Sequence, residues 1–240
     1  MVEKLTAAIN RPVLAVIDLP QAGKDWVATL VTMLLSVGVL DRQLSMGLGV
    51  AAGVVLLLLI HEMGHLVYAR LARVPVRSPV FIPGVGAFVR LVRLPENAQI
   101  EAGLALAGPA VGGGAAVLAC GAGIAVQSPP VIEIGVLSLT FNLLNLVPMS
   151  PLDGGRVLEA ISPWPNLFGL VSFAVVAIML RDWLLLPFAV LGFTSLRDRF
   201  RYRRADYYKL PQQGKTRVVF WWFTVSSALS LVWLLTFQHV

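Results

Sequence analysis

The chain has 240 residues, of which 57% are hydrophobic and 13% charged, with a net charge of +6 and a mean hydropathy of +0.79. Soluble domains carry about a quarter charged residues, so this composition excludes an ordinary water-soluble fold and points to a membrane protein. A single cysteine excludes an internal disulfide and argues against a zinc knuckle, and the basic residues fall in short stretches between apolar runs, as membrane topology requires, rather than forming a nucleic-acid surface.

The N-terminal stretch, interrupted by Glu3, Lys4, Arg11 and Asp18, does not read as a signal peptide. The first predicted span covers residues 26–40 and ends at Asp41-Arg42-Gln43. The second covers 44–71. Residues 44–60 of it carry no charge, and His61-Glu62-Met63-Gly64-His65 follows toward its C-terminal end. A mixed stretch over 73–99 contains Pro75, Pro79, Pro83, Gly84 and Gly86, and its tail at 87–94 has the alternation and residue types of a strand or hairpin. Because this stretch directly follows the second span, it is expected close to the motif on the inner side. Its strand edge there is a candidate to pair with an extended substrate, beside the simpler reading of an interfacial loop.

The third predicted span, 100–126, is rich in glycine, which lets helices approach closely in lipid. Gln127-Ser128-Pro129-Pro130 makes a turn, and the fourth span runs over 131–147. Pro148 and Pro151 then break it, with helix resuming near Gly155 and ending by Ser162-Pro163. Residues 166–196 are long for one crossing and hold Arg181-Asp182 in the middle. A hairpin turning there leaves only Arg42 and Arg181 of the 19 Lys and Arg residues outside, so two short crossings fit the positive-inside rule best. The last span, 218–237, has Trp221, Trp222 and Trp233 near its ends. The expected fold is an all-α polytopic membrane protein, one membrane-embedded domain over 1–240. It has six to seven transmembrane segments and a short β-strand or hairpin after the second.

The pattern H-E-x-x-H sets two imidazoles one helical turn apart on one face, where both can hold one metal ion. Glu62 points about 100° away, placed to act on water rather than to ligate. Ionisable groups are costly at membrane depth, so their presence marks a functional site. A catalytic zinc takes three protein ligands and keeps one open position. His61 and His65 supply two. The obvious place for a third is Asp153, where Pro148, Pro151, Gly154 and Gly155 break the helix and let the backbone aim a carboxylate. In the topology above, both motifs lie toward the inner side.

H-E-x-x-H followed by N-x-x-P-x-x-P-L-D-G-G resembles the site-2 protease family of intramembrane zinc metalloproteases. Ala107-Gly108-Pro109 is similar to that family's Gly-Pro motif, and the region 81–94 to its strand region after the first ligand helix. The resemblance covers about residues 44–160, a three-helix catalytic core, with accessory helices over 166–240. An Asn often ends the family's Gly-Pro motif, whereas Gly112 stands near that place here. The resemblance implies zinc-dependent hydrolysis of peptide bonds in or near transmembrane segments, with one Zn2+ held by His61, His65 and Asp153 and with Glu62 as proton carrier. It offers Asn145 as a donor to the carbonyl oxygen or to the substrate backbone. A transmembrane protein substrate and the lipid bilayer are the expected partners. The expected location is a bacterial cell membrane, multi-pass, with the N-terminus and the basic loop 197–217 cytoplasmic.

Other readings of the same residues carry less. Asn142 and Asn145 stand one turn apart and suit helix–helix hydrogen bonding as well as catalysis. Glu101, Glu133 and Glu159 sit near predicted helix ends and read as interfacial. A di-iron oxidase needs two E-x-x-H units and this chain has one. A transporter built on repeated halves finds no repeat here. A catalytically inactive relative that binds transmembrane segments would not need the full set of His61, Glu62, His65 and Asp153.

Overall fold

The computed structural model describes residues 19–84, 86–180, 190, 192–194, 196–197 and 205–239. Seven labelled helices and one hairpin organise them: α1 (Leu19–Leu44), α2 (Leu48–Leu71), β1 (Val80–Ile82), β2 (Gly86–Phe88), α3 (Ala98–Ala125), α4 (Pro129–Asn145), α5 (Asp153–Glu159), α6 (Trp164–Leu180) and α7 (Gln212–Thr236). Local chemistry sets the boundaries. Asn97 caps α3 by accepting from the Ile100 N–H at 3.0 Å. Pro129 and Pro130 open α4, where a missing N–H costs nothing. Pro148 prevents α4 from continuing.

The core is α2, α3 and α4. A Cβ on Gly64 of α2 would stand 2.5 Å from the Ala107 carbonyl oxygen of α3. One on Gly123 of α3 would stand 2.7 Å from the Ile132 nitrogen of α4. These glycines let the backbones approach where no side chain could fit. Gly64 meets Ala107 and Gly112 meets His61, so α2 and α3 run antiparallel. Gly53 meets Ile134 and His61 meets Asn142, so α2 and α4 run parallel. α7 lies along α3 and α4, with Trp222 Nε1 donating to the Leu146 carbonyl at 3.1 Å and Trp233 Nε1 to Thr140 Oγ1 at 2.8 Å.

Among the described residues, four helices are long and apolar enough to cross a membrane: α1 from Asp25, α2, α3 and α7. This is fewer than the six to seven expected. α4 has 17 residues, about 26 Å at the helical rise, short of a hydrocarbon core of about 30 Å. The apolar part of α6, Trp164–Val175, is shorter still. The turn expected at Arg181-Asp182 and the N-terminal basic residues Lys4 and Arg11 lie outside the described residues. The two ends of that region are described, however. Asn166 bonds to Ser150 and Gly155, Gly192 packs on the Ser150 carbonyl and Leu170, and Tyr208 bonds to Glu159.

The β-hairpin departs from expectation in extent and in place. Its strands are three residues each, paired Val80 with Phe88, Phe81 with Ala87 and Ile82 with Gly86, with one further bridge between Val76 and Leu91. The strand expected over 87–94 is confined to its first residues. Nor does the hairpin stay on the inner side of the motif. It runs along α1, where Thr29 Oγ1 donates to the Pro79 carbonyl at 2.5 Å and the Phe81 N–H donates to Thr32 Oγ1 at 3.2 Å. Its tip at Gly84 lies against Val39 and Gln43. From Thr29 to Gln43 is about 21 Å of helix, so the hairpin traverses much of the bundle's height. Phe81 and Ala87 pack with Leu40, Ala51 and Val55, on the stretch of α2 before His61. The cause is apolar burial: Phe81 is 1% exposed, and following α1 is what covers it.

Candidate metal centre

His61, His65 and Asp153 come together. His61 Nε2 lies 3.1 Å from His65 Nε2, and Asp153 Oδ2 lies 3.2 Å from the first and 3.3 Å from the second. This triangle is close to one face of a tetrahedron with bonds of 2.0–2.2 Å, whose edges are about 3.4 Å. All three residues are buried, at 2%, 6% and 7% exposure.

The ring nitrogens are oriented for ligation. His65 Nδ1 donates to the Leu104 carbonyl at 2.7 Å, leaving Nε2 with a lone pair. Pro109 removes one N–H from the α3 ladder in this same stretch. His61 Nδ1 donates to Asn142 Oδ1 at 2.9 Å. The amide of Asn142 is fixed in that sense because its Nδ2 donates to the Ser138 carbonyl at 2.8 Å. With Nδ1 of each ring engaged, both imidazoles turn Nε2 toward the Asp153 carboxylate, and a single divalent cation could meet all three ligand atoms. Two imidazoles and one carboxylate suit zinc.

Space for an ion depends on Gly108. A Cβ there would run into His65 Nε2 and would stand 2.7 Å from His61 Nε2. One turn on, a Cβ at Gly112 would stand 2.6 Å from His61 Cβ and 2.8 Å from Asn142 Oδ1. The Gly108 and Gly112 stripe is thus the wall of α3 on which the two imidazoles lie.

Asp153 is aimed by the break after α4. Residues 146–152 fold back so that Asp153 occupies the first turn of α5. Gly154 packs on the Leu146 carbonyl and Gly155 on the Ser150 nitrogen, where any side chain would collide. Asn166 of α6 staples this loop: its Oδ1 accepts from the Ser150 N–H at 2.7 Å, and its Nδ2 donates to Ser150 Oγ at 3.2 Å and to the Gly155 carbonyl at 3.3 Å.

Glu62 is 2% exposed, and its Oε2 is buried with no hydrogen-bond partner among the described residues. A bare carboxylate oxygen is expensive in such a place unless a water or substrate group meets it. Asn145 is half-buried in the last turn of α4. Its side chain takes part in none of the described hydrogen bonds, and it is Asn142 that touches the cluster. Glu101 and Glu159, expected at the interface, are both 4% exposed; Tyr207 donates to the first at 2.6 Å and Tyr208 to the second at 3.1 Å.

The centre lies inside the bundle near its basic end. His65 is six residues and His61 ten from the end of α2 at Leu71, about 9 and 15 Å of helix. Arg70, Arg73, Arg156 and Lys209 gather at that end, and Arg42 stands at the other. No protein-family model matches the chain, and no curated protein matches it, so the functional reading rests on these residues.

Proposed function

We propose that this chain is an intramembrane zinc metalloprotease of the site-2 protease type, hydrolysing peptide bonds in or near transmembrane segments of membrane proteins. The observation that carries the reading is the buried triangle of His61 Nε2, His65 Nε2 and Asp153 Oδ2, with Glu62 Oε2, which has no hydrogen-bond partner among the described residues, on the helix of the two histidines. Zinc, when bound, supplies Lewis-acid polarisation of a carbonyl and acidifies water.

The chain's own residues do the rest. His61, His65 and Asp153 would hold the ion. Glu62 accepts the proton of the attacking water at Oε2 and later gives it to the leaving amine nitrogen. Asn145, at the end of α4, is assigned to the substrate carbonyl oxygen. Hydrolysis requires water at the centre, and the basic end is the nearer aqueous surface, about 9 Å of helix from His65. A helical substrate must unwind locally, because its own backbone hydrogen bonds shield the scissile bond.

The test is cleavage of a single-span substrate by the full chain purified in detergent. A strong zinc chelator will stop cleavage and added zinc will restore it; cleavage indifferent to both would overturn the reading. Orientation is a separate expectation. The basic end faces the cytoplasm under the positive-inside rule, so a cysteine at Tyr207 will react with an impermeant thiol reagent only from the cytoplasmic side. Labelling from the opposite side would reverse the topology.

A further inference from the structure

Only one oxygen of Asp153 meets the imidazoles. The other, Oδ1, faces Arg156 Nη1 at 3.9 Å. The same guanidinium turns Nε toward Glu101 Oε1 at 3.6 Å, and Glu101 Oε2 accepts from the Tyr207 hydroxyl at 2.6 Å. The chain of contacts crosses three elements: α5, the start of α3 and the short 3-10 turn Ala205–Tyr208. Screening by water is weak along it, for the side chains of Glu101, Asp153 and Arg156 are 5%, 9% and 24% exposed. The turn is tied a second time, by Tyr208 to Glu159, and Tyr207 and Tyr208 pack against the apolar cluster that contains Ala98, Ala102 and Val157.

A ligating carboxylate is itself held by neighbours, which fix its rotamer and the oxygen it offers. Arg156 is placed to do this for Asp153. Its distances are those of ion pairs rather than of a two-pronged fork, so the guanidinium needs an anchor of its own. Glu101 is that anchor, and the short charge-assisted bond from Tyr207 fixes Glu101 in turn.

We propose that Arg156, anchored by Glu101 and Tyr207, is a positioning residue for the metal ligand Asp153, so that a turn outside the three-helix core sets the affinity of the centre. This rests on the metal-binding reading above. It makes the Ala205–Tyr208 turn part of the working site although it contributes no ligand.

The experiment is zinc affinity of the full chain in detergent, by competition with a chromophoric chelator, together with the visible spectrum of the cobalt-substituted protein. Arg156→Gln will weaken zinc binding by about 10–100-fold and change the cobalt bands, which report coordination geometry. Tyr207→Phe, losing one hydrogen bond, will weaken binding by about 2–10-fold. The double variant will bind no more weakly than Arg156→Gln alone, because Tyr207 acts through Arg156. Arg156→Lys keeps a cation that cannot reach both carboxylates at once, and will recover only part of the loss. His61→Ala serves as control. If it loses the metal while Arg156→Gln and Tyr207→Phe match the wild type in affinity and spectrum, the positioning role is wrong. Additive losses in the double variant would also overturn it. If His61→Ala itself binds zinc like the wild type, the metal-binding reading fails and this inference falls with it.

Discussion

Gly108→Ala will abolish zinc binding and, with it, proteolysis, while leaving the protein helical and membrane-inserted. The added Cβ would run into His65 Nε2 and crowd His61 Nε2, the two atoms that offer their lone pairs to the ion. Overpacking usually costs about 1–3 kcal/mol because neighbours give way. Here they have little room. α3 is held against α2 on both sides of Gly108, by the contact of Gly64 with Ala107 and by that of Gly112 with His61. The imidazoles must therefore turn, and turning breaks the bonds to Leu104 and Asn142 that orient them. Gly114→Ala is the matching control, since nothing lies within 4 Å of its added methyl. Zinc content of the two purified variants decides the matter. A Gly108→Ala protein with full zinc would show that α3 does not wall the centre.

The second large effect is Glu62→Gln. The variant will fold and hold zinc, because Glu62 is outside the ligand triangle and Gln has nearly the same shape. Turnover will fall by about 10²–10⁴-fold, the usual contribution of a positioned proton carrier. Glu62 Oε2 is buried with no hydrogen-bond partner among the described residues, so it is held where the reacting groups can use it. A neutral amide can accept a hydrogen bond there but cannot take the proton. Cleavage at near wild-type rate in detergent would remove Glu62 from the mechanism.

Most of the helical frame was legible in the sequence. The expected spans 44–71, 100–126 and 131–147 differ by a few residues from α2, α3 and α4, because unbroken apolar runs bounded by Pro, Gly and polar turns leave little choice. The pairing of His61, His65 and Asp153 was legible for a different reason. H-E-x-x-H fixes two groups by helical periodicity, and a carboxylate in a Pro- and Gly-broken stretch at matching depth fits the third place.

What stayed hidden depends on contacts between distant segments. Asn142 and Asn145 look alike in the sequence; only the parallel packing of α4 on α2 brings Asn142 to His61, 81 residues away. Asn166 carries no local pattern that announces a staple for the loop before Asp153. Glu101 and Glu159 sit near helix ends and so suggested an aqueous surface. Tyrosines 106 and 49 residues further on reach them instead. The hairpin was expected near the motif because it follows α2 in the chain, yet burial of Phe81 between α1 and the early part of α2, with bonds to Thr29 and Thr32, sets it along α1. Fewer helices among the described residues reach spanning length than the six to seven expected, because an apolar run shows that a segment avoids water and does not by itself give the length of the helix.

The central claim is that three residues from two separated motifs hold one zinc ion that the activity requires. Its most direct test is to measure zinc content and substrate cleavage in the same purified samples of wild type and Asp153→Ala. The wild type will carry one zinc per chain and cleave. Asp153→Ala, keeping both histidines, will lose most of its zinc and all detectable cleavage. An Asp153→Ala protein with one zinc per chain and undiminished cleavage would contradict the account.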